Sequence, residues 1–580
     1  MFKKKEKVTK VKKVRRPSEN KLFKNRKKMI VEKPKTNSDI IRCLFKGYDK
    51  SNSIFKIADK RYTVVFEYTD ISFAKAQREE QYSIITKWIA YLNSTSEHTH
   101  IEVVNIGRPV QQSDFKKNYM YDDKNENLTE NEKRIAREMN ILIERAITSD
   151  SDKQETKRLL VLSQECESYE EAKAIFTDIE MRNKEKFKEL KSDIRRLSID
   201  EVLEITHDFF NSEKRDTSIP LNLTEKTCEE FSIFDLVAPK KPVNFSKRNY
   251  FSIGDRFYRI LYLSHLPNSM TPSFYNKLTT TDMDIITTLN IQPLNNAKVI
   301  KQVEQKISGI KTERLDKIKK ANQKGYTYEA VMDEKLEDKL KDYQQLKNDL
   351  QRNGQKMFQN NLLVCIMGDS LDDINKKTNR IFELAGESLI EFSALNSQQL
   401  EGIVNILPFG HNTLQIVRNL SSEATAVNVP FNTKDLSYPN SIFFGLNLIS
   451  RNAIFADRKK LINGNGCVLA TSGAGKSFSV KTMLEQIKIR YPKDNIIIID
   501  PQSEYDDLID ALNGQMIEIS PTASTYINPF DLDLNYDDKE PVKAKTEYII
   551  AFVESLVDGN LNGAYKTIID RCTKIAFEPY

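Results

Sequence analysis

From Val468 to Phe478 the chain reads Val-Leu-Ala-Thr-Ser-Gly-Ala-Gly-Lys-Ser-Phe, an apolar run that breaks into Gly-rich turn residues before an amphipathic helical pattern begins. This order restricts the local fold to a strand, a phosphate-binding loop and a helix whose N-terminus faces the phosphates. Backbone N–H groups from Ser472 through Gly473, Ala474 and Gly475 to Lys476 would curl around the β- and γ-phosphates. Lys476 would neutralise their charge as the catalytic cation, and the Ser477 hydroxyl would ligate Mg²⁺. The expected nucleotide-binding set is Ala470, Thr471, Ser472, Gly473, Ala474, Gly475, Lys476, Ser477 and Phe478, with ATP and Mg²⁺ as cofactors. Val480, Met483, Leu484 and Ile487 follow at i, i+3, i+4, i+7, the spacing of one buried helical stripe. Ala470 stands where the motif G-x-x-x-x-G-K-[ST] has its first glycine, and alanine disfavours positive φ.

A chain of 580 residues suggests roughly three or four domains. Aliphatic and aromatic residues make up 39% and charged residues 30%, a balance that excludes a wholly disordered chain. No apolar run approaches the ~20 residues needed to span a bilayer, and no apolar segment backs the N-terminal lysines, so neither secretion nor membrane insertion is expected. The six cysteines are far apart and form no C-x-x-C pair, which reads as reduced cytosolic thiols. His98 and His100 would share one face of a strand, with no third metal ligand nearby.

The net charge of +6 is unevenly spread, because residues 1–35 hold sixteen Lys/Arg against three Glu and leave −7 for the rest. Residues 1–39 therefore read as a basic disordered tail. Three roles are open to it: a solubility arm, contact with anionic lipid, or contact with an acidic partner or nucleic acid.

After the tail, Tyr62–Tyr68 alternates like a strand, residues 74–92 form a helical pattern, and His100–Ile106 reads as a second strand, together a βαβ unit. A helix at about 128–148, a strand near 158–163, a helix at 168–191 and a short strand-helix pair complete an amino-terminal α+β domain over 40–211. Residues 212–249 read as a linker. A second α+β region over 250–429 carries strands at 257–263, 284–291, 361–367 and 389–393, and a helical hairpin over 297–353. Packing and subunit contact are both open to that hairpin. The last region, 430–580, alternates strand and helix around the near-continuous apolar strand 495–500, the pattern of a mainly parallel sheet covered on both faces. The predicted class is α/β: amino-terminal α+β domains with βαβ units and a helical hairpin, then a RecA-like P-loop domain that is incomplete at its C-terminus.

Hydrolysis needs an acid to hold Mg²⁺ and a carboxylate to orient water. Asp500 ends the strand 495–500 and could bind the metal or cap the strand end; Glu504 is the other acid close behind the loop. Pro501 stands where an acidic neighbour often supplies the base.

Several stretches together resemble one family. Phe66-Glu-Tyr-Thr-Asp70-Ile-Ser-Phe73 with Gln81 and Leu92-Asn93, then Ile406-Leu-Pro408-Phe-Gly410, Val429-Pro430-Phe431, Gly445-Leu-Asn447 and Ala456-Asp457-Arg458 precede the phosphate loop. Ile499-Asp-Pro501-Gln-Ser-Glu504-Tyr505 and Ile527-Asn528-Pro529-Phe530 follow it. In this order they resemble the large ATPase of type IV secretion and conjugation systems, in its Gram-positive conjugative-element form, over roughly residues 40–580. The departures are Ala470, Gln502-Ser503 where the family usually has an acid and a glycine, and the family's C-terminal part with its Walker B acids, sensor glutamine and trans-acting arginine. On this resemblance the chain is an incomplete P-loop ATPase. The resemblance implies a cytoplasmic, often hexameric motor at the inner face of the cell membrane, partnered by channel components and a coupling protein, that couples ATP turnover to channel assembly and DNA-protein transfer. A related DNA-translocase or coupling ATPase, and a non-catalytic nucleotide-binding scaffold, are the alternatives.

Overall fold

Six long strands with apolar residues on both of their faces can only be satisfied by a sheet covered on each side. The computed structural model describes residues 34–578 except 110–111, 149–153, 215–216, 219–220, 222–231, 268–272, 280, 282, 324–333, 435, 448–451, 462, 472, 533–539, 558 and 560. Two compact units emerge, one of residues 1–125, 136–468 and 489–491, the other of 126–135, 469–488 and 492–580.

The first unit is organised by one thirteen-stranded sheet among the described residues. Strands Arg61–Tyr68 and Thr99–Pro109 are joined by helix Arg78–Ser94, as the βαβ reading requires. They are not neighbours, however: Gln154–Glu165 lies between them, antiparallel to both. Helix Tyr169–Glu189 then returns the chain to strand Ile194–Arg196, which pairs with the outer edge of Arg61–Tyr68. This is a split βαβ arrangement. The two α+β regions share the sheet, because the same path is repeated in the second half. Strand Met357–Gly368 lies between Arg256–His265 and Ile285–Pro293, and after helix Leu371–Gly386 strand Glu391–Ala394 pairs back onto Arg256–His265. The copies join where Thr99–Pro109 meets Ile285–Pro293 antiparallel, with Val103 opposite Leu289.

Tyr62, Val64 and Phe66 point into one core with Trp88, Phe176, Phe274 and Ile374. Val65, Val104, Val161, Ile286 and Leu363 point into the other with Ile41, Phe209 and Ile403. All twelve residues of Met357–Gly368 are buried.

The helical hairpin is inserted between the second and third strands of the second copy, as Asn296–Gln323 and Glu334–Arg352. Val299, Val303 and Ile307 pack with Leu340 and Leu350, and Lys347–Glu304 (2.8 Å) and Arg314–Glu337 (2.6 Å) link the arms. The connection between the two arms, residues 324–333, lies outside the described residues. Most of the basic tail does too, but helix Asn37–Leu44 starts within the span read as disordered, because Thr36 and Asp39 form a reciprocal capping box. Within the predicted linker, the described parts are strands Ser212–Lys214 and Thr217–Ser218, helix Ile233–Val237 and strand Val243–Asn244.

Two of the stretches that carry the resemblance are tied to the sheet by buried polar groups. Ile406–His411 crosses one face: Thr63 Oγ1 donates to the Phe409 carbonyl (2.9 Å), Ser163 Oγ to that of Gly410 (3.1 Å) and Thr288 Oγ1 to that of Ile406 (3.0 Å). Gly410, at φ +75°, donates its N–H to Glu102 Oε2 (2.7 Å); a Cβ there would meet the Ser163 Cβ at 2.9 Å. On the other face, Asp70 accepts the backbone N–H groups of Asn432 (2.7 Å) and Thr433 (3.0 Å) and pairs with Arg158 (2.6 Å). The acid of the Phe66–Asp70 stretch thus anchors the segment that follows Val429-Pro430-Phe431. His98 and His100 do not share a strand face: His98 precedes the strand, whereas His100 is buried with Nε2 2.9 Å from Asn290 Oδ1.

Burial raises the Glu102 pKa well above its ordinary 4.5, against the opposing Gly410 hydrogen bond. Glu102 keeps its proton to higher pH in the folded protein than in the unfolded chain, so this residue subtracts stability as pH rises above about 4.5 toward its folded pKa. Glu102→Gln keeps an acceptor for Gly410 and removes the proton linkage. The variant is expected to gain on wild type by up to about 1.4 kcal/mol per pH unit above that point. Denaturant midpoints from pH 5 to 7.5 measure it; parallel curves would place an ionised carboxylate in the core.

The second unit departs from the predicted parallel RecA-like sheet. Residues 463–471, 494–500 and 514–519 run without strand pairing, although strands were expected at 495–500 and directly ahead of the loop. Leu469 is 92% exposed and Ile499 93%. A parallel strand must be covered on both faces and paired along its edges. The described residues that follow form the helices Pro541–Leu556 and Gly563–Phe577, which pack on each other.

Candidate nucleotide site

The phosphate-loop geometry does not depend on the sheet, because it is set by local φ values. Gly473 and Gly475 stand at φ +77° and +83°, the left-handed region in which a side chain is strained. A Cβ on either would meet nothing within 4 Å, so the glycines serve backbone conformation and not close packing. Ala470 is not among the described positive-φ residues, so alanine carries no left-handed strain there. Thr471 C=O accepts the Ala474 N–H (3.2 Å) and Gly475 C=O accepts that of Ser479 (3.0 Å), closing the loop onto helix Lys476–Arg490. Lys476 is exposed as the first helical residue, Ser477 follows half-buried, and Phe478 is 74% exposed. Ser472 lies outside the described residues. The expected helical stripe of Val480, Met483, Leu484 and Ile487 is only half-buried.

The second element is the turn from Asp500 to Tyr505. Asp500 accepts backbone N–H groups from Glu504 (2.6 Å), Tyr505 (3.0 Å) and Gln502 (3.2 Å). Desolvation raises its pKa, but these amides and that of Ser503 outweigh it, so the carboxyl titrates below its ordinary 3.8. Both Asp500 oxygens are used in closing the turn. Glu504 instead reaches the phosphate loop, where its Oε2 accepts the Ser477 hydroxyl. Tyr505 stacks under Lys481, whose Nζ is 5.6 Å from the ring centroid. The two acids singled out in the sequence therefore do different things, which spacing alone did not separate.

Ser503 holds φ +54° in this turn, at the position where the resembled family usually has glycine. Ser503→Gly is expected to raise stability by about 0.5–1 kcal/mol through relief of that conformation. A thermal melt of the full chain measures it, and an unchanged or lowered midpoint would contradict the left-handed assignment.

Upstream of the loop, strands Ile442–Leu446 and Ala453–Ala456 pair antiparallel. Their register shifts between Phe443 and Gly445, and Gly445 takes φ +127° there. Asp457 caps the short helix Arg458–Lys460 by accepting the Lys459 N–H (2.9 Å). The resembled stretches Gly445-Leu-Asn447 and Ala456-Asp457-Arg458 coincide with these two backbone features.

Two left-handed glycines, an exposed lysine at a helix N-terminus and a following serine beside a carboxylate together suit a triphosphate with its divalent cation. They have the form of a phosphate-binding loop. Residues 447–540 match the family described as Helicase HerA, central domain, and that stretch includes the loop and the Asp500–Tyr505 turn. The match supports an ATPase of the P-loop type, with the nucleotide and Mg²⁺ dependence general to that class. No curated protein matches the chain. Among the described residues no helix is long and apolar enough to cross a membrane.

Proposed function

We propose that the chain is the ATP-binding motor component of a type IV secretion or conjugation system, coupling ATP binding and hydrolysis to channel assembly and transfer of a DNA-protein substrate. The observation that carries the ATP part is the loop itself, with Gly473 and Gly475 left-handed ahead of Lys476 and Ser477. Backbone N–H groups from Gly473 to Lys476 would bind the phosphates, Lys476 would balance their charge, and Ser477 would hold Mg²⁺. When bound, the cation supplies neutralisation of charge developing on the transferred phosphoryl group. The ordered series of stretches from Phe66 to Phe530 supports the secretion role. In this reading the protein works as a homo-oligomer, hexameric by family resemblance, with channel proteins and a coupling protein as partners. It sits at the cytoplasmic face of the membrane, with the basic tail in contact with anionic lipid.

A second reading is favoured by the matched family, whose description names a helicase: a motor that acts on DNA directly. Turnover of ATP by the full chain with and without double-stranded DNA separates the two. A secretion motor that acts through protein partners is expected to turn over at a rate indifferent to added DNA, whereas strong stimulation would favour a translocase. Absence of nucleotide binding would refute both.

A further inference from the structure

We propose that Glu504 is the carboxylate that meets the nucleotide-associated cation beside Ser477, and that Asp500 is the positioning residue that aims it. This rests on the ATP-binding reading above and assigns a residue within it. Position in sequence favours Asp500, the acid that ends an apolar run in the manner of a metal-holding acid. The geometry points elsewhere. The Asp500 carboxylate is spent on the backbone amides of Gln502, Glu504 and Tyr505, and would have to surrender that set to bind a metal. One of those bonds, at 2.6 Å, is to the amide of Glu504 itself.

Glu504 makes the complementary contact, accepting the Ser477 hydroxyl 27 residues upstream. A serine that gives its lone pairs to Mg²⁺ still has a proton to place, and a carboxylate that accepts it both orients the hydroxyl and adds negative charge next to the cation. Mg²⁺ dehydrates reluctantly and is ordinarily held through one or two carboxylates with the substrate phosphates, a composition that one acid beside the serine fits. The Asp500 turn, with Ser503 left-handed and Tyr505 against Lys481, fixes the backbone on either side of Glu504.

The test is equilibrium binding of a non-hydrolysable ATP analogue to the full chain, by calorimetry, in Mg²⁺ and in EDTA. Mn²⁺ affinity, read by electron paramagnetic resonance with the analogue bound, is the second measurement. Glu504→Gln is expected to leave affinity in EDTA within about twofold of wild type and to lower Mn²⁺ affinity by about 10- to 100-fold, the range for removing a carboxylate that orients a metal ligand. Asp500→Asn is expected to lower it less, with partial recovery when Ser503→Gly is added to ease the turn. Unchanged Mn²⁺ affinity in Glu504→Gln would overturn the assignment, and so would a larger loss in Asp500→Asn than in Glu504→Gln. Failure of the wild type to bind the analogue in either buffer would instead overturn the ATP reading on which the assignment rests.

Discussion

Lys476→Ala is expected to abolish binding of Mg-ATP at attainable protein concentrations. Lys476 opens helix Lys476–Arg490 directly after the left-handed Gly475, so it is the side-chain cation that the motif assigns to the phosphates. Removing one partner of a hydrogen-bonded charge pair costs about 2–5 kcal/mol, equivalent to roughly 30- to several-thousand-fold in affinity. The loop's own conformation depends on glycine φ values and should survive the change. Calorimetric titration with a non-hydrolysable analogue measures the effect, and circular dichroism confirms that the fold is intact. Equal affinity in the two proteins would remove Lys476 from the site.

The second large effect lies far from the loop. Asp70→Ala should destabilise the sheet unit by about 3–5 kcal/mol, because it leaves the Arg158 guanidinium buried without its partner. The same change strips acceptors from the amides of Ile71, Asn432 and Thr433, so the chain after Phe431 keeps only its bonds to Ala74 and Asn276 there. A denaturation curve should show the earlier midpoint, and limited proteolysis should show new cleavage near residues 426–434. Asp70→Asn keeps an acceptor but not the charge, and should fall between wild type and alanine. If Asp70→Ala unfolded at the wild-type midpoint, the pair would contribute nothing and the anchoring role would fail.

Asp70 and Glu102 show where a sequence becomes silent. Glu102 stands in a strand whose alternation was legible and Asp70 just beyond the end of another, yet neither residue type nor spacing reveals that the partners are Asn432 and Thr433 for Asp70 and Gly410 for Glu102. Those contacts join residues more than three hundred positions apart. The βαβ reading failed in part for the same reason. Arg61–Tyr68, the following helix and Thr99–Pro109 are local, but insertion of Gln154–Glu165 between the two strands is a choice of pairing. Near-continuous apolar runs also mislead about direction. Met357–Gly368 is buried at every position in an antiparallel sheet, because helices cover both faces, whereas the similarly apolar Ile496–Ile499 has no strand partner.

What the sequence determined by itself is local in origin. The glycines of the phosphate loop, the start of its helix at Lys476 and the apolar stripes of the helical hairpin follow from backbone sterics and the 3.6-residue period, which act over a few residues. Tertiary structure alone decided the duplicated sheet with its join at Val103 and Leu289, the anchoring of Ile406–His411 and the Asn432–Thr433 segment, and the separation of Asp500 from Glu504. The physical reason is that hydrogen-bond partners are chosen by proximity in space. A buried acid takes whichever amide or cation the packed chain brings within about 3 Å, and spacing along the chain does not specify which one that will be.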